Sequence, residues 1–324
     1  MSIAGRIRAF NVSAVCVALS AVALGHTLQI SNGFYSPEAL AWLSVAFGLA
    51  VFGGCLSRLS AELSPSSAIV VTVVLAVGLG WQLQQLFVSP PGFYIRPEAN
   101  IGIFRAAILV QALCIASGLL GIRGLRRVWF PAVLACGLCL GVWMIRASPE
   151  PYIDVVVVHK EAIEAFLKDK DPYLISFDNI YEDVDAQKFY NPAALIGGRV
   201  AFAYPYPPPS LLLAVPGHVL LGDYRYAELF LLVAAAGLIG YARRGAVAKL
   251  AACLLLTTPR VWFVIEQGWT EPVAVFLLGL TVFLLVRHNR PSQQSIVTVS
   301  SQPALWFGWM YAPSSGLAAE LNLN

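Results

Sequence analysis

The chain has 324 residues, 58% of them hydrophobic and only 12% charged, and its mean hydropathy is +0.71. A soluble domain carries about twice that charge fraction, so composition excludes a soluble globular protein and predicts an all-α polytopic membrane protein. The net charge of +3 gives no basis for a nucleic-acid partner. The basic residues sit in short clusters between apolar runs, which is a signal of membrane topology.

In chain order, Arg6 and Arg8 precede an apolar run over 10–30. That run is close to the roughly 20 residues needed to cross a bilayer, and it reads as an uncleaved signal anchor. Further runs predict spans over 38–57, 67–88, 101–122, 128–146, 224–242, 248–265 and 272–286. A shorter run from Ser210 to Leu221 carries Pro216, Gly217 and His218. It reads either as a re-entrant piece or as a short tilted span in a thinned bilayer. Arg58, Arg123/Arg126/Arg127, Arg243/Arg244/Lys249 and Arg287/Arg290 belong on the cytoplasmic side. Strict alternation from an inside N-terminus then puts 147–209 outside. Every basic cluster falls inside only if 210–221 does not cross.

Three regions follow: N-terminal membrane helices over 1–127, a core over 128–290, and a polar tail over 291–324 whose Ser, Gln and Asn content predicts disorder. Six cysteines (Cys16, Cys55, Cys114, Cys136, Cys139 and Cys253) lie inside apolar runs. They read as buried thiols acting as small hydrophobes, and Cys136 and Cys139 lack the His or acidic neighbours of a metal site.

The outer segment has its own structure. From Val155 to Lys168, Lys160, Glu161, Glu164 and Lys168 fall on one helical arc. Val158, Ala162, Ala165, Phe166 and Leu167 fall on the other, so an amphipathic helix that can lie on the membrane surface is predicted. Asp171-Pro172 ends it. An acidic loop over 177–192 follows, and then the run from Tyr204 to Pro209, a stiff polyproline-like lead back to the membrane.

Asp154 opens this segment. A carboxylate beside Val155 to Val158 at a membrane face should be partly desolvated, which strengthens it as a base, and such a base can take a proton from a sugar hydroxyl. The same position also suits an N-cap. His159 lies near the middle of the apolar arc, as a buried histidine or as a donor to a phosphate or sugar hydroxyl. Asp169, Asp171, Asp178, Glu182, Asp183 and Asp185 match no Ca²⁺ loop, so they read as solvated and no metal site is assigned. Between Thr257 and Pro272, Pro259 breaks a membrane helix and Arg260 follows within it. A charge at that depth costs about 2.5–3.5 kcal/mol, and an arginine fork there suits a lipid-linked phosphate. Glu266, Gln267 and Glu271 lie at the outer end, on Asp154's side.

Asp154, the 155–168 helix, Asp171-Pro172-Tyr173, Tyr206-Pro207-Pro208, Pro216 and Glu266-Gln267-Gly268 together resemble family-87 glycosyltransferases, integral membrane enzymes of the GT-C class. The resemblance covers about Val128 to Arg287. It implies a GT-C-like helical bundle with a long non-cytoplasmic loop. It also implies an inverting transferase of the cell membrane that takes mannose or arabinose from a polyprenyl-phosphate donor and passes it to a glycan or glycolipid acceptor. The base of that reaction maps onto Asp154. His159, Tyr173, Tyr204, Tyr206, Arg260, Glu266, Gln267 and Glu271 are the candidate substrate-binding residues. Family members tend to carry Tyr near position 159, and they continue well past the region matching Arg287. An inactive, truncated transferase is therefore one alternative. A transporter with broken helices at Pro216 and Pro259 is another.

Overall fold

A computed structural model describes residues 11–31, 35–56 and 63–288. Arg6, Arg8, Arg58, Arg290 and the tail over 291–324 lie outside the described residues.

Helices α1 (Val12–Ser31), α2 (Pro37–Cys55), α3 (Pro65–Val88), α4 (Ile101–Leu119) and α5 (Trp129–Ala147) are each long and apolar enough to cross a bilayer. Their starts follow from local chemistry. Ser36 and Ser64 each accept a backbone N–H in the first turn of the helix that follows, and a proline stands at the next position. A capping hydroxyl plus a proline preset for helical φ is a strong start signal. Asn100 caps α4 in the same way, accepting from Gly102 N at 2.9 Å.

After α5 come α6 (Asp154–Leu167), α7 (Asp183–Phe189), α8 (Pro208–Leu221) and α9 (Arg225–Ala242). Between α6 and α8 lies a small antiparallel sheet in the order β1 (Phe177–Asp178), β3 (Arg199–Val200), β2 (Leu195–Ile196). The chain ends its described part with α10 (Ala246–Thr257), α11 (Arg260–Gln267) and α12 (Glu271–His288). Among the described residues seven helices meet the spanning criteria, and an eighth crossing arises if α10 and α11, bent by 55° at Pro259, count as one. The protein is an all-α polytopic membrane protein. Its core includes Phe130, Val133, Leu140, Met144, Leu229, Leu250 and Trp262. Large side chains such as Val77, Leu113 and Phe230 are exposed on the outer faces, where lipid rather than water is the natural neighbour.

The two ends of the bundle differ. Arg96 N donates to Ala147 O at 2.8 Å, and Gln29 Nε2 reaches Ser89 Oγ at 3.2 Å. Arg225 Nη1 bonds both Ser148 O and Glu266 O. The ends of α1, α3, α5 and α11 and the starts of α4, α9 and α12 therefore meet at one end, called here the loop end. At the other end Lys249 sits over the rings of Trp129, Phe130 and Tyr241. The chain leaves α5 and enters α9 at the same end, so α8 does not add a crossing. Its 14 residues span about 21 Å, against roughly 30 Å of hydrocarbon.

Several expectations need correction. Helix α8 runs unbroken through Pro216. The extended proline run stops at Pro207, because Pro208 takes the first helical position, where a missing N–H costs nothing. Most of the apolar face of α6 is covered by protein. Val158, Ala162 and Ile163 pack with Phe177, Tyr204, Leu211, Ala214 and Tyr224, while Phe166 and Leu167 stay exposed. Of the six cysteines, all free, only Cys16 and Cys253 are buried, and Cys55 and Cys139 are exposed on helix surfaces.

Candidate functional site

Asp154 is the first residue of α6, and Ile153, in extended backbone, occupies the N-cap position. The expected side-chain cap is therefore absent. One carboxylate oxygen accepts from the adjacent Val155 N at 2.9 Å, and the other accepts from the Tyr190 hydroxyl at 2.6 Å. The Tyr181 hydroxyl in turn accepts from Asp154 N at 3.3 Å. Burial, reinforced by the bond to Asp154, holds the Tyr190 proton far above the usual phenol range. The acid is half-buried, stands at the positive end of α6, and keeps spare lone pairs on both oxygens.

Around it lie more tyrosines and acids. Burial first, then the charges of Asp154, Glu271 and Glu228, push the Tyr206 hydroxyl up. Burial, and then Glu266, Tyr152 and Asp154, do the same to Tyr94. Through these two rings Asp154, Glu266 and Glu271 belong to one neighbourhood at the loop end.

The candidate substrate-binding residues divide into occupied and unoccupied groups. Glu266 is fully buried, and its carboxylate accepts Phe93 N and Tyr94 N, each at 2.7 Å, clamping the connection between α3 and α4. Gly92 lies against that carboxylate, and a Cβ there would collide with it. Gln267 Nε2 adds a 3.3 Å contact to Glu266 Oε2. Glu266 thus positions a loop and has little capacity left for a ligand, whereas Gln267 spends one of its two amide donors on it. Tyr173 donates its hydroxyl to Tyr206 O at 3.0 Å, and Asp171 caps the turn that carries it by accepting Tyr173 N at 2.9 Å.

His159 is fully buried. Its ring stacks on Tyr224 at 4.5 Å, and the Tyr204 hydroxyl lies 3.2 Å from both ring nitrogens. Nε2 faces Ser210 O at 3.4 Å. Burial pushes the imidazole down to about 4, against a smaller upward pull from Ser210. His159 is therefore a neutral packing group that joins α6 to α8.

Two candidates remain open. Arg260 starts α11 directly after the bend. Its guanidinium stands 5.9 Å over the Phe263 ring, and its Nε has no hydrogen-bond partner. Glu271 Oε2 is likewise unpartnered.

Sequence reasoning passed over four residues of this end. Arg225 is fully buried and binds Asp223 through Nε and Nη2, Ser148 O at 2.8 Å, Glu266 O at 3.0 Å and Pro149 O at 3.1 Å. Glu228 is fully buried with neither oxygen hydrogen-bonded. Two charges opening an apolar span were a readable signal. Tyr181 and Tyr190 carried none, because their contact with Asp154 depends on how the loop folds back. No family model, no curated protein and no solved structure matches the chain.

Proposed function

We propose that the chain is a GT-C-like membrane glycosyltransferase that moves a sugar from a polyprenyl-phosphate donor to a hydroxyl of a glycan or glycolipid acceptor. The observation that carries this reading is Asp154, a half-buried carboxylate held by Tyr190 at the bundle end where most of the chain's acids gather. The clusters Arg123–Arg127, Arg243/Arg244/Lys249 and Arg287 all fall at the opposite end, and the positive-inside rule supports a non-cytoplasmic side for Asp154.

Asp154 takes the proton of the acceptor hydroxyl. The acceptor oxygen bonds to the anomeric carbon, and the bond from that carbon to the phosphate oxygen breaks. Polyprenyl phosphate leaves with the electron pair, and the configuration inverts. Arg260, with donors unused, offsets the charge that develops on the leaving phosphate. Glu271, with a free oxygen, accepts a sugar hydroxyl, and the Tyr206 ring forms a wall of the sugar site.

The test is transfer of labelled mannose or arabinose from lipid-linked donors by the reconstituted chain. Asp154→Asn should lower the rate about 10²–10⁴-fold, the usual range for a lost general base, with insertion and folding unchanged. Transfer at the wild-type rate by that variant removes Asp154 from the chemistry.

A transporter is the second reading, favoured by the 55° bend at Pro259 with unpartnered Arg260 beside it. Accumulation of substrate in sealed vesicles without turnover of a lipid-linked sugar would select it.

A further inference from the structure

The end of the bundle away from Asp154 holds a cavity of about 330 Å³ lined by Tyr241, Arg243, Arg244, Gly245, Lys249 and Arg287. We infer that this cavity is a binding site for a phosphate-bearing anion, and the inference does not depend on the transferase reading.

Four of the six lining residues are cations and none is an acid. They come from different elements: the link after α9, the second turn of α10 and the last turn of α12. Arg244, Lys249 and Arg287 form no ion pair among the described residues. The like charges of these three repel one another, and an anion between them removes that cost.

Two of the cations are also held in place. Lys249 Nζ sits 5.7–5.9 Å from the centroids of Tyr241, Trp129 and Phe130. The Arg287 guanidinium lies 5.0 Å over the Phe283 ring. Such contacts restrain side chains that would otherwise swing into solvent. Gly245, at φ +116°, makes the turn into α10, whose first N–H groups have no side-chain cap.

Topology alone does not require this. Positive-inside charge is satisfied by a run along one connection, as in Arg123, Arg126 and Arg127 between α4 and α5. Cations converging on a cavity from three segments, with arginine forks and a lysine point charge, match the donor set that recognises phosphate. The volume suits a headgroup or a pyrophosphate, not an acyl chain. The same chemistry is offered by an anionic phospholipid headgroup in the adjoining leaflet and by free phosphate or pyrophosphate.

Native mass spectrometry of the full chain in neutral detergent separates these sources. Phosphatidylglycerol, phosphatidylcholine and inorganic pyrophosphate are each titrated against the wild type, an Arg244→Gln/Arg287→Gln variant and an Arg126→Gln/Arg127→Gln control. Wild type and control should bind phosphatidylglycerol or pyrophosphate in preference to phosphatidylcholine. The cavity variant should bind about tenfold or more weakly, since charge-assisted hydrogen bonds to the anion are lost. Preference for phosphatidylglycerol identifies a lipid headgroup, and preference for pyrophosphate identifies a soluble phosphate. If the glutamine pair does not fold, Arg244→Lys/Arg287→Lys replaces it; weaker binding is expected from loss of the planar forks, and wild-type affinity counts against the site. Equal weakening in the cavity variant and the control, or no preference over phosphatidylcholine, overturns the proposal.

Discussion

At the loop end Arg225, Glu228 and Glu266 are fully buried, and two of the three are consumed by the protein's own backbone. Arg225 serves three carbonyls and Asp223, and Glu266 serves two amides. At the basic end the arginines are exposed, and Arg244 and Arg287 hold no carboxylate. The same residue types therefore do opposite work. Buried and satisfied, Arg225 and Glu266 fix the geometry of the loops they bond. Exposed and without an ion pair, Arg244 and Arg287 stay available to something outside the chain. This contrast also isolates the polar groups of the loop end that do not fit its rule: Glu228, Glu271 and Arg260, which keep unpartnered atoms.

The sharpest way to break the contrast is to remove one charge from each end. Arg225→Met leaves Asp223 without its partner and three carbonyls without donors. Breaking one side of a buried pair costs about 3–5 kcal/mol, enough to unravel the junction of α5, α9 and α11. Arg244→Met at the basic end should change stability by less than about 0.5 kcal/mol, as exposed substitutions usually do. Thermal unfolding of both variants in detergent checks this. Equal stability losses would show that the ends do not differ as described.

Much of this was legible in the sequence, but unevenly. Spans of 19–24 residues announce themselves because every backbone group in lipid must be satisfied within the helix. Asp154 could be singled out because a carboxylate stands alone beside a valine run. The roles of Glu266 and His159 could not be read, because each is settled by a partner far away in the chain. Glu266 meets Phe93 and Tyr94 from 173 and 172 residues away, and His159 meets Tyr204 from 45. The apolar face of α6 was legible as apolar. Nothing local said whether lipid or α8 would cover it.

A second prediction concerns pH and again separates the ends. Folded, His159 takes its proton only near pH 4, whereas an unfolded histidine does so near 6.5. Between those values the unfolded chain binds more protons, so folding weakens as pH falls through that window. The contribution is complete above pH 6.5 and has gone by about pH 4, a change of about 3 kcal/mol. Loss of protection from hydrogen exchange should begin in α6 and α8 and spare α10 and α12. His159→Gln should flatten this dependence, and an unchanged profile would remove His159 as its source.

The smallest effect tests whether Tyr173 faces a substrate or its own loop. Its hydroxyl donates to Tyr206 O at 3.0 Å. A single neutral hydrogen bond of this kind contributes about 0.5–1.5 kcal/mol, so Tyr173→Phe should destabilise the loop end by about 1 kcal/mol. Because the ring and its packing stay, the carboxylate of Asp154 keeps its place beneath Tyr190, and turnover at saturating donor should change less than about threefold. A residue that bonded the sugar would behave in the other way. Its loss would leave stability unchanged and raise KM or lower kcat by about tenfold, the value of one hydrogen bond to a substrate group. Measured together, unfolding and kinetics of this one variant decide whether the tyrosines around Asp154 form the wall of a site or the frame that holds it.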